Sequence, residues 1–121
     1  MFNVIIIGAE DTGNYEFFRQ KAIYYLSNKA KSGEGITIYT TGDEFIDRFT
    51  DRYRIDKHFF KADWKTYGKD ALKCRNELMV RDANAIIFFQ NNKRDFQVLY
   101  DYAKNKGIQA RIVEPPVTDI T

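Results

Sequence analysis

Short apolar runs alternate along the chain with longer stretches whose apolar residues recur every three to four positions. That alternation leaves few folds open. Val4-Ile5-Ile6-Ile7, closed by Gly8, is a continuous β-branched run, the pattern of a strand covered on both faces, as in a parallel sheet. From Asn14 to Lys31, Tyr15, Phe18, Ala22, Tyr25 and Leu26 form one stripe of an amphipathic helix, which Ser32-Gly33-Glu34-Gly35 ends. Ile36 to Thr40 reads as a second strand. Thr41-Gly42-Asp43-Glu44 then reads as a capping box, with Thr41 as N-cap and Glu44 three residues on. Phe45, Ile46, Phe49 and Tyr53 supply the buried face of the helix it opens.

The pattern then repeats. Lys57 to Ala62 reads as a short third strand, residues 63–69 as a loop rich in functional groups, and about Lys69 to Asp82 as a helix burying Ala71, Leu72, Leu78 and Met79. Asn84 to Phe89 is a fourth strand, followed by the polar turn Gln90-Asn91-Asn92. A helix from about Arg94 to Lys106 turns Phe96, Leu99, Tyr100 and Ala103 inward, with Gly107 at its C′ position. Ile108 to Val113 is the last strand, stopped by Pro115-Pro116. The order βαβαβαβαβ predicts an α/β fold: a single Rossmann-like three-layer domain, about five parallel strands with helices on both faces. Residues 1–114 are expected to form that domain and 115–121 a loose tail; 121 residues suffice for one core.

Composition excludes more than it assigns. Nineteen Lys and Arg against 17 Asp and Glu leave a formal charge of +2, which gives no charge argument for nucleic acid or a membrane, and neither is expected as a partner. Cys74 and His58 are the single cysteine and histidine, so neither a disulfide framework nor a Cys/His zinc site is expected. The N-terminal run lacks the basic start of a signal peptide and the length of a membrane span, and a cytoplasmic location is expected. No catalytic residue, metal or cofactor is assigned.

In open α/β sheets, ligands bind beyond the carboxyl ends of the strands, at the switch in strand order. This nominates the loops Gly8–Asn14, Thr40–Asp43, Ala62–Lys69, Gln90–Arg94 and Glu114 onward. The earlier loops carry Glu10, Asp11, Asp43 and Glu44; the later ones and their helices carry Lys61, Lys65, Lys69, Arg75, Lys93 and Arg94. One side of the crevice should be acidic and the other basic, as for carboxylates on ribose hydroxyls and cations on phosphate. The alternative for the acids is that they complement helix dipoles. Neither G-x-G-x-x-G nor G-x-x-x-x-G-K-[ST] occurs, so a standard phosphate cradle is not expected. Trp64 and Tyr67 suit either stacking on a base or local packing.

Three segments then fall in a recognisable order: Ala62-Asp63-Trp64-Lys65-Thr66-Tyr67-Gly68-Lys69, Arg75-Asn76-Glu77-Leu78-Met79 and Ala83-Asn84-Ala85-Ile86-Ile87-Phe88-Phe89. Their spacing resembles A-D-W-x-x-Y-G-K, R-N-x-x-M and A-D-x-x-I-A-F of the YspA branch of the SLOG superfamily. That superfamily also holds the LOG-type nucleotide phosphoribohydrolases and the DNA-processing protein A fold. Gly8 to Tyr15 is similar to its G-S-R-x-F-x-D-Y loop, with Glu10 at the family's arginine. The family's S-G-G-A-x-G-A-D loop stands as Thr40 to Asp47 with one glycine kept, and its later G-T turn as Asp95-Phe96.

The resemblance implies a nucleotide site with altered loops, and hence a non-catalytic binding module for a nucleotide or nucleotide-derived ligand at the C-terminal edge of the sheet. Its candidate ligand-binding residues are Gly8, Glu10, Thr41, Gly42, Trp64, Tyr67, Lys69, Arg75, Asn76 and Asn91. The resemblance places Arg75 on an anionic group; the alternative is a helix arginine paired with Glu77 or Asp82. A phosphoribohydrolase-like enzyme using Glu10, Asp47 and Arg75, and an interaction protein that has lost the site, are the other readings. Superfamily relatives pair through helices beside the sheet, and the chain is 16% aromatic, so a homodimer or larger homo-oligomer is expected.

Overall fold

Strands Phe2–Ile7 (β1), Ile36–Thr40 (β2), Asp56–Phe59 (β3), Ala85–Phe88 (β4) and Gln109–Ile112 (β5) form one sheet in the order β3-β2-β1-β4-β5. Every pairing is parallel. The computed structural model describes residues 1–89 and 93–114. Its helices are Tyr15–Lys31 (α1), Glu44–Tyr53 (α2), the single turn Trp64–Tyr67 (α3), Ala71–Arg81 (α4) and Lys93–Asn105 (α5). The expected Rossmann-like α/β architecture is present. The expected tail, 115–121, lies outside the described residues.

β1 is the middle strand, and its composition is the reason. Ile5 faces Tyr39 of β2 on one side and Ile86 of β4 on the other. Val4, Ile5 and Ile6 are each at most 1% exposed, which only a run apolar at every position tolerates. Alternate side chains go to opposite layers. Val4 and Ile6, with Ile38, Ile87 and Phe89, pack against α1 and α2. Ile5, with Tyr39, Ile86 and Phe88, packs against α4 and α5.

Phe18 of α1 centres the first layer. It is fully buried, with its ring centroid 5.1 Å from that of Phe89 and 5.5 Å from that of Phe49, both edge-on, a geometry that adds to burial alone. The N-terminal edge of the sheet is clamped by two asparagines. Asn84 Oδ1 accepts the Asn3 N–H at 2.8 Å, and Asn3 Nδ2 donates to the Asp82 carbonyl at 2.9 Å. The end of α4 is thereby tied to the start of β1. At the end of α5, Gly107 (φ 73°) donates to Lys104 O and Ile108 to Ala103 O, the Schellman closure expected of a glycine at C′.

Several boundaries and faces differ from expectation. β3 is Asp56–Phe59 rather than 57–62, because Phe60 bonds to Thr40 O and the chain then leaves the sheet. The loop 63–69 contains α3 and the start of a 3₁₀ turn, Gly68–Asp70, so α4 starts at Ala71 and not Lys69. Thr41 is not the N-cap of α2: Asp43 is, accepting the Phe45 and Ile46 N–H groups on Oδ1. An ionised carboxylate two residues nearer the helix outcompetes the hydroxyl. Leu72 and Leu78 of α4 are exposed, while Asn76 and Val80 point inward with Ala71 and Met79. The inward stripe is therefore 71, 75, 76, 79 and 80.

Two substitutions check this assignment of faces. Phe18→Ala should lower the unfolding free energy by about 3–5 kcal/mol, the cost of an aromatic cavity. Leu78→Ala should change it by less than about 0.5 kcal/mol, as at an exposed position. Urea unfolding of both variants measures the contrast.

Candidate functional site

The ends of β1 and β2 are joined by their own acids. Gly8 (φ 80°) turns the chain off β1 and Gly13 (φ 66°) closes the 3₁₀ turn Glu10–Thr12. From that turn the Glu10 N–H donates to Asp43 Oδ2 at 3.0 Å. In return, Glu10 Oε2 accepts the Glu44 N–H at 2.9 Å. Asp43 Oδ1 meanwhile accepts Phe45 and Ile46 N–H at 2.9 and 3.2 Å. The N-terminus of α2, where such folds hold a phosphate, is filled by two carboxylates of the chain itself.

Gly42 in the same turn is required twice over. Its φ is 104°, and a Cβ there would lie 3.0 Å from the Phe59 ring. Its N–H donates to Thr40 Oγ1 at 3.1 Å, and Thr41 beside it is half-buried. Of the sequence-nominated residues, Gly8, Glu10, Thr41 and Gly42 thus come together, as an interlock between two loops. Asp43, the hub of that interlock, was missed as its cap. The signal was present: an Asp followed two and three positions on by Phe45 and Ile46, as at a helix start.

Asp43 is 8% exposed. Burial holds its carboxyl above the usual carboxylate range; its backbone donors pull the other way and the neighbouring Glu10 charge adds to the rise.

Arg75 and Asn76 stand together on the inward stripe of α4. Asn76 Oδ1 accepts from Arg75 Nε at 3.2 Å and from Nη2 at 3.0 Å. Because arginine only donates, this fixes the amide orientation and turns Asn76 Nδ2 outward as a donor. Asn76 is 9% exposed, and its Nδ2 has no partner among the described residues. Neither acid considered as a partner for Arg75 is one. Glu77 accepts the Tyr102 hydroxyl at 2.7 Å, and Asp82 lies 3.6 Å from Arg81. Among the described residues Arg75 meets no carboxylate, and burial alone lowers its pKa.

The remaining candidates lie elsewhere. Trp64, Tyr67 and Lys69 are exposed on the turn before α4. Asn91 lies outside the described residues. Glu10, Asp47 and Arg75 are not assembled as a catalytic trio: Asp47 of α2 accepts Lys57 Nζ at 2.7 Å in the α1–α2 layer, and α4 lies across the sheet. Two grooves open among the described residues, the second of which Tyr67 helps to line. One of about 630 Å³ is lined by Tyr25, Lys29, Asn84, Gln109 and Arg111; one of about 470 Å³ runs between α4 and α5 past Cys74, Glu77 and Tyr102.

The Asp43 environment gives a signed pH dependence. A carboxyl raised on folding contributes stability that is fully present below its unfolded pKa of about 3.9 and lost as pH rises through the folded value. Asp43→Asn keeps an acceptor for the helix N–H groups and removes the charge. Its stability relative to the parent should rise from about pH 4 to pH 7, whereas Asp43→Ala should lose about 1–2 kcal/mol with the cap. Denaturant titrations at the two pH values read the sign.

No family model, curated protein or solved structure matches the chain.

Proposed function

We propose that this chain is a non-catalytic binding module for a nucleotide or nucleotide-derived anion, held by Arg75 and Asn76 of α4. One observation carries the reading. Among the described residues, a half-buried guanidinium bonded to a neutral amide alone stands beside a nine-tenths-buried amide with a spare donor. Moving a cation out of water without an anion is costly, and a fixed pair of donors recovers that cost only when an anion arrives. The planar fork suits a phosphate or carboxylate, which it can meet with two parallel bonds.

The interlock at α2 supports the same assignment by subtraction. With Glu10 and Asp43 on the α2 N-terminus, an entering phosphate would meet two carboxylates there. Among the described residues, the α4 donors carry no such competitor. The similarity of Arg75-Asn76-Glu77-Leu78-Met79 to the R-N-x-x-M segment of the SLOG superfamily points the same way, as does the loss of the family's glycines from the other loops.

Nucleoside mono- and diphosphates at millimolar concentration should raise the thermal midpoint, since a ligand of the folded state stabilises it. Arg75→Ala should weaken binding by roughly 1.5–3 kcal/mol, the range for hydrogen bonds to charged groups. Arg75→Lys should recover only part of that. Among the described residues Arg75→Ala strands no acid, but it removes the donors to the Asn76 carbonyl oxygen, so the unliganded protein should lose only about 1–3 kcal/mol. Unaltered affinity with a large loss of stability would make Arg75 structural and end this reading.

A further inference from the structure

The formal charge of +2 conceals a strong asymmetry. Residues 57–75 hold six cations (Lys57, Lys61, Lys65, Lys69, Lys73, Arg75) against Asp63 and Asp70, a net +4, so the rest of the chain sums to −2. Lys57 is bonded to Asp47. Among the described residues, Lys61, Lys65, Lys69 and Lys73 have no carboxylate within 4.0 Å. All four lysines are exposed.

Large aromatic side chains lie along the same segment. Trp64 is 56% exposed, Phe59 52% and Tyr67 49%. They ride on an ordered backbone: Asp63 Oδ1 accepts the Thr66 N–H at 3.0 Å to cap α3, and Gly68 (φ 53°) ends it. We infer that this turn is a docking surface for single-stranded nucleic acid, with Trp64 and Tyr67 stacking on bases and Lys61, Lys65, Lys69 and Lys73 meeting phosphates. Charge complementarity requires a polyanion, and the half-exposed rings require one that offers flat faces. A duplex hides its bases. α3, at four residues, presents no amphipathic helix face to a headgroup layer. The surface does not use the Arg75–Asn76 donors and stands whether or not they bind a nucleotide.

Trp64 is the only tryptophan, so its emission reports this surface alone. Titrating the full chain with an oligothymidylate of about 15 nucleotides, near the upper site size of such surfaces, should quench that emission to saturation. A slope of about −0.7 per lysine for four lysines predicts an affinity falling roughly 50-fold between about 50 and 200 mM salt. By anisotropy of a labelled oligonucleotide, Trp64→Phe should bind within about threefold of the parent, while Trp64→Leu, which keeps bulk but no π face, should lose about tenfold. Unchanged unfolding midpoints confirm that both variants fold. Absence of quenching at low salt would overturn the inference. So would equal affinity of the Phe and Leu variants, or binding of polyglutamate as tight as the oligonucleotide, either of which leaves charge alone. A blue shift on phosphatidylserine vesicles without a response to the oligonucleotide would assign the surface to a membrane and overturn it too.

Discussion

The burial of β1 on both faces is the constraint on which the rest of the molecule depends. Three consecutive residues at 1% exposure or less demand a strand on each side and a helix layer above and below. With β2 on one flank and β4 on the other, the chain must build outward to β3 and then return past β2 and β1 to begin β4. Helices α1 and α2 cover one face before that return, and α4 and α5 cover the other after it.

The return path is where the chemistry gathers. Residues 60–84 have to leave the edge strand, cross the sheet and re-enter beside β1; Phe60 still packs on the core, but residues 61–70 are exposed apart from half-buried Ala62. Cations and aromatic rings can stand there without cost to packing, and Trp64, Lys65, Tyr67 and Lys69 do. The second half becomes α4, whose inward stripe brings Arg75 and Asn76 down onto the sheet. The opposite corner, at the ends of β1 and β2, has closed on itself through Glu10 and Asp43. A crevice that composition describes as acidic on one side and basic on the other is, in the folded chain, an interlocked side and an open one.

Much of this is legible in the amino-acid order, for identifiable reasons. Val4 to Ile7 has one reading because β-branched residues at every position suit only a doubly covered strand. Phe18, Ala22 and Leu26 lie on one helix face by spacing alone, and Gly107 marks a helix end because few other residues adopt its backbone conformation. The failures occur where two local signals compete. Thr41 and Asp43 both offer a cap, and the carboxylate nearer the helix takes it. In α4, Leu72 and Leu78 outrank Asn76 on any hydrophobicity scale, yet the inward stripe takes Asn76 because Arg75 satisfies its carbonyl oxygen. The basic character of the later loops is legible too: residues 57–75 sum to +4 where the whole chain sums to +2.

The central claim is that the Arg75–Asn76 pair is an anion receptor and not a packing detail. Side-chain ¹⁵N–¹H correlation spectra, recorded while a nucleoside monophosphate is added, test it at the atoms concerned. The Arg75 Nε–H and Asn76 Nδ2 resonances should shift together along one saturable curve, with the Glu44 backbone amide at the α2 N-terminus unmoved. Saturable shifts at Glu44 with Arg75 and Asn76 silent would contradict the account.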